Sequence, residues 1–118
     1  MTEDQDLEFD LDELIDVLGE PSPSISDVDR QYFWFEYEGK GMRSLTVSLS
    51  RYHRRVGVTV SDGDTGNSFG IEECDWVRVL EPELKTIEIV SQKYQTRCFL
   101  ALDGESVVQL SVGDLEHG

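Results

Sequence analysis

Residues 30–50 read RQYFWFEYEGKGMRSLTVSLS. Aromatic residues crowd Tyr32 to Tyr37, and Leu45, Val47 and Leu49 alternate with polar neighbours. Alternation with period two is the pattern of a strand buried on one face. Gly39-Lys40-Gly41 between the two runs supplies turn residues, so the stretch is expected to form a β-hairpin. Val56, Val58 and Val60 then alternate on even positions where the preceding run used odd ones. A change of parity requires a turn or bulge between them, and RYHRR at residues 51–55 is where it falls.

The same pattern continues toward the C-terminus. SDGDTGNS reads as a loop with an Asp62-Gly63 turn signal, and FGIEECDWVRVLE as a bent or bulged strand. EPEL is a loop or single helical turn, and KTIEIVS a strand. QTRCFLAL and SVVQLSV make a hairpin joined at Asp103-Gly104, and residues 113–118 form a weak polar tail.

Only the N-terminal region is helical in pattern. Asp10 suits an N-cap with Glu13 at capping-box spacing, and Phe9 and Leu14 fit a hydrophobic staple. Leu11, Leu14, Ile15 and Leu18 form one apolar stripe, Gly19 suits a C-terminal position with positive φ, and Pro21 and Pro23 stop the helix. The spacing predicts a helix over 11–18 that must dock to be stable. Residues 1–8 are expected to fray. With no helix between strands long enough for a parallel crossover, the expected fold is α+β. It has a short amphipathic helix on a twisted antiparallel meander of six to eight strands, curling toward a half-barrel, in a single domain over 1–118.

Charge is the other dominant feature. Twenty-five acids against ten bases give a net charge of −15. Eight carboxylates and no base lie between Glu3 and Asp16. Such a field opposes phosphate backbones and anionic lipid, so neither nucleic acid nor a membrane is an expected partner. It favours fast, salt-dependent capture of a cationic surface. The acidic N-terminus has no apolar run behind it, which points to a cytoplasmic protein, and Cys74 and Cys98 read as buried thiols.

Motifs for chemistry are weak. DGDTGNSFGIEE imitates a calcium loop, with Asp62, Asp64 and Glu73 at ligand positions. Its glycine is one residue out of place, and a hairpin loop is the preferred reading. Cys74, Cys98, His53 and His117 share no zinc spacing, and His53 pairs with no identifiable nucleophile. No cofactor, no metal and no enzymatic activity are expected. Arg51, His53, Arg54 and Arg55 form the one basic cluster, read as a turn whose arginines pair with the chain's own acids and draw back the N-terminal segment. YFWFEY is read as a core strand. Trp76, ringed by Glu72, Glu73 and Asp75, is the better candidate for an interface anchor.

The acidity, the small size, the amphipathic FDLDELIDVLGEPS opening and the following β-meander resemble the bacterial immunity proteins of polymorphic toxin and contact-dependent growth inhibition systems. That resemblance implies an acidic inhibitor that binds one cognate toxin domain, of a basic, nuclease type, and occludes or flanks its active site. The candidate contact residues are Asp12, Asp16 and Glu20 on the helix side, with Asp62, Asp64, Glu72, Glu73, Asp75 and Trp76 further along. A monomer is expected rather than a homodimer. Two alternatives stay open: a secretion chaperone of the type III kind, and a halophilic domain whose acidity serves only solvation.

Overall fold

A computed structural model of the chain describes residues 6–38, 43–62, 65–81, 85–102 and 108–112. The elements in order are β1 (Glu8–Phe9), α1 (Leu11–Leu18), β2 (Tyr32–Glu38), β3 (Arg43–Ser50), β4 (Arg55–Asp62), β5 (Thr65–Ile71), β6 (Trp76–Glu81), β7 (Thr86–Ser91), β8 (Thr96–Ala101) and β9 (Val108–Val112).

The helix forms as its sequence pattern predicts. Asp10 Oδ1 accepts the N–H groups of Asp12 (3.0 Å) and Glu13 (3.3 Å), satisfying donors that the first turn leaves free. Gly19 closes the helix at φ 92°, donating to the Ile15 carbonyl at 2.8 Å. Leu14, Val17 and Leu18 are buried, with Leu11 and Ile15 packed partly against the same core.

The strands do not make one meander. They make two antiparallel runs in separate sheets, ordered β2-β3-β4-β5 and β1-β6-β7-β8-β9. In the first sheet Phe33-Leu49-Val56-Ile71 and Phe35-Val47-Val58-Phe69 run across the strands as inward rows. In the second, Phe9-Val77-Ile89-Cys98 does the same. Both sets bury in one hydrophobic cluster, so the two sheets share a single core, and no closed barrel is formed among the described residues. The helix lies against β2 of one sheet and β6 of the other.

Three local expectations change with this. FGIEECDWVRVLE is not one bent strand: it leaves the first sheet after Ile71 and enters the second at Trp76, with Glu73 in the left-handed region at φ 50°. SDGDTGNS is mostly strand, because pairing continues to Asp62↔Thr65, which is the hairpin rather than the calcium-loop reading. Fraying cannot extend to residue 8, since Leu7 is fully buried and Glu8 pairs with Trp76. That β1–β6 pairing is parallel, the one exception to an antiparallel fold among the described residues. The Gly39-Lys40-Gly41 and Asp103-Gly104 turns, residues 82–84, and the tail 113–118 lie outside the described residues.

Candidate partner-binding surface

The crossover from β5 to β6 brings together the acids expected to surround Trp76, but it also gives each of them a cation of the same chain. Arg54 Nη2 lies 2.9 Å from Asp75 Oδ1, and Arg55 Nε lies 2.7 Å from Glu72 Oε2. Lys93 Nζ lies 3.5 Å from Glu73 Oε1. The second Asp75 oxygen accepts the Gln92 backbone N–H at 2.6 Å. Ser91 Oγ reaches the carbonyls of Glu72 (3.1 Å) and Glu73 (3.0 Å), and Asp75 N–H donates to the Val90 carbonyl at 2.7 Å. The crossover is therefore pinned to the β3–β4 and β7–β8 turns, and its charge is largely compensated.

This is also where the basic cluster goes. Arg54 and Arg55 pair with the chain's own acids, as their sequence context suggests. Arg51 instead holds the N-terminal segment, by backbone and ring rather than by carboxylates. Its guanidinium donates to the Leu7 carbonyl (3.4 Å) and to Gln31 Oε1 (3.0 Å) and sits 4.0 Å from the centre of the Phe9 ring. Leu7 N–H returns a bond to the Arg51 carbonyl at 2.9 Å. Cys74, buried in the crossover, lies 3.3 Å from the Val90 carbonyl. Burial first, and then the charge of Asp75, push its thiol up to about 12, and burial pushes Cys98 up to about 11. Neither thiol has nucleophilic character at neutral pH.

Trp76 stands on the outer face of the second sheet, half-buried. A groove of about 460 Å³ beside it is lined by Asp6, Glu8, Asp75, Trp76, Arg78 and Gln92. The Arg78 guanidinium lies 4.1 Å from the Trp76 ring centre and 3.7 Å from Glu8. Behind them is a residue that sequence reasoning missed. Glu88 on β7 is buried on the outer face, accepting the Trp76 indole N–H at 3.1 Å and pairing with Arg97 at 3.2 Å. The Arg97 Nε is too oblique for a hydrogen bond, so this contact is ionic. In TIEIVS the Ile-Glu-Ile alternation already sets Glu88 opposite the core, but nothing local places Trp76 and Arg97 beside it.

The helix presents the opposite electrostatic situation. Asp6, Asp12, Glu13, Asp16 and Glu20 are exposed or half-exposed, and none has an ion-pair partner among the described residues. Asp12, Asp16 and Glu20 are thus separated in character from Glu72, Glu73 and Asp75. Asp62 pairs through its backbone in β4, and Asp64 lies outside the described residues. Among the described residues no helix is long and apolar enough to cross a membrane.

No family model matches the chain, and no curated protein matches its sequence. Among solved structures, a chain of the contact-dependent growth inhibition toxin–immunity protein complex from Klebsiella pneumoniae 342 aligns with a TM-score of 0.65. The alignment covers 93% of this chain and 96% of that one at 12% identity. The likeness is one of fold. It meets the resemblance expected from the sequence at that level, and at such identity no residue's role transfers.

Proposed function

We propose that the chain is a cytoplasmic immunity protein that binds and neutralises a cognate bacterial toxin domain without catalysis of its own. The observation that carries this reading is the shared fold with a chain of a toxin–immunity protein complex over nearly the full length of both. The net charge of −15 supports the inhibitor role over the toxin role. A field of that sign opposes approach to nucleic acid but accelerates encounter with a basic protein. The charge fits a basic toxin, and the resemblance to immunity proteins adds that it is of the nuclease type, with inhibition by covering or flanking its active site. The uncompensated acids Asp12, Asp16 and Glu20 supply the attraction, and the half-buried Trp76, backed by Glu88, supplies an anchor.

The test uses the reading frame immediately upstream of the gene. Its C-terminal domain is expressed alone and together with this chain, and growth and complex formation are measured. Restored growth and a complex that forms more slowly at high salt are expected. Continued growth arrest beside a folded, abundant chain rejects the proposal.

A further inference from the structure

The phase of the hydrogen-bond ladder in the first sheet can be followed from one edge to the other. On β2, Tyr32 exchanges backbone bonds with Asp27 at 2.9 and 2.8 Å. The Trp34 carbonyl accepts Ser22 N–H at 2.7 Å, and Trp34 N–H donates to Ser26 Oγ at 2.9 Å. Both residues therefore face away from β3, and the 22–27 segment covers that edge. Antiparallel ladders alternate, so Phe33 and Phe35 bond Leu49 and Val47, Ser50 and Ser48 bond Arg55 and Gly57, and Val56 and Val58 bond Ile71 and Phe69. This leaves the N–H and C=O groups of Gly66, Ser68 and Gly70 pointing outward from β5, the other edge. Among the described residues nothing bonds them, and all three are exposed.

Edges of this kind are ordinarily guarded by charge, proline or a bulge. In a chain that is 30% charged, β5 reads TGNSFGI and has none of the three. We infer that the β5 edge is a self-association surface, on which a second copy of this chain adds its own β5 antiparallel about a two-fold axis at Ser68. In that register Gly66 faces Gly70 of the second copy and Ser68 faces its own equivalent, so every outward group finds a partner, and within β5 itself no like charges are opposed. Glycine at both ends leaves no side chain in the way. On the inner face Asn67 comes opposite Phe69, covering an aromatic ring that the single chain leaves half-exposed. The uncompensated acids do not oppose the contact locally, because α1 packs against β2 and β6 rather than β5. A basic partner finds no charge on this edge to recognise, which favours a second copy as the occupant. The inference does not depend on the proposed toxin.

Sedimentation of the full chain over a range of concentrations tests it. A monomer–dimer equilibrium is expected, with its dissociation constant falling about tenfold as salt rises from about 50 to about 500 mM and screens the net charge. Ser68→Pro, which removes an outward N–H and no ladder bond, should leave only monomer. Ser68→Cys should cross-link to a covalent dimer under mild oxidation, since Cys74 and Cys98 are buried, while Thr59→Cys on β4 should not. A wild-type chain that stays monomeric at every concentration and salt overturns the inference. So does cross-linking at Thr59→Cys equal to that at Ser68→Cys.

Discussion

Arg54 grips Asp75 at 2.9 Å, joining the β3–β4 turn of one sheet to the residue just before β6 of the other. Both side chains are mostly buried, at 25% and 18% exposure, so the pair is not an exposed ion pair of negligible value. Asp75→Ala also removes the acceptor for Gln92 N–H, and is expected to lower stability by about 2–3 kcal/mol in a urea titration. Glu72→Ala, whose partnership with Arg55 is exposed, should cost under about 1 kcal/mol. Equal effects would mean that the crossover is not pinned as described.

The division between compensated and free acids makes a second prediction, which rests on the proposed toxin. Reversing Asp12, Asp16 and Glu20 together to lysine should slow association with that domain about tenfold at low salt and flatten its salt dependence, with the melting temperature little changed. Removing a compensated pair whole, by Glu72→Ala together with Arg55→Ala, should leave the association rate within about twofold, because that pair carries no net charge. The reverse ranking would move the attracting face to the crossover.

Glu88 holds Trp76 and Arg97 from beneath. Glu88→Ala leaves the indole N–H without its acceptor and Arg97 without its counter-charge, a loss of about 2–4 kcal/mol by denaturant titration. Glu88→Gln keeps an acceptor for Trp76 and should recover part of that loss. Full stability in the alanine variant would show that the outer-face network is ornamental to the fold.

The thiols set an alkaline limit. Cys74 and Cys98 are held protonated in the fold to about 12 and about 11, against 9.0 when free. Between those values the unfolded chain has lost its thiol protons while the folded chain retains them. Their contribution is thus complete below pH about 9 and is lost as pH rises toward the folded values, at about 1.4 kcal/mol per pH unit for each thiol. Melting curves from pH 8 to about 11 should fall steeply, and Cys74→Ala should fall less steeply than wild type whatever its starting stability. Parallel slopes would exclude the thiol as a cause.

Much of the local structure was legible because its causes are local. The Asp10 cap, the stripe at Leu14 and Leu18, and the stop at Gly19 depend on neighbours a turn away, and the helix came out at Leu11–Leu18. The parity change between Leu49 and Val56 placed a turn or bulge within 51–55, because side-chain direction in a strand follows residue number, and the turn occupies 51–54 with Arg55 already in β4. Glu72, Glu73 and Asp75 were harder. Their proximity to Trp76 was plain. Their pairing with Arg55, Lys93 and Arg54 spans up to 21 residues along the chain, and only the basic cluster hinted at it.

By itself, then, the amino-acid sequence determined one capped helix, a succession of antiparallel hairpins, and a large negative charge concentrated toward the ends of the chain. Only the tertiary structure decided that the hairpins divide into two sheets, that Leu7 to Phe9 closes one of them as a parallel strand, and that Glu88 lies beneath Trp76. The reason is physical. Alternation states which face of a strand is apolar, but several arrangements can bury that face. The choice among them rests on contacts such as Arg54 with Asp75 and Arg51 with Leu7, whose partners meet only once the chain has folded.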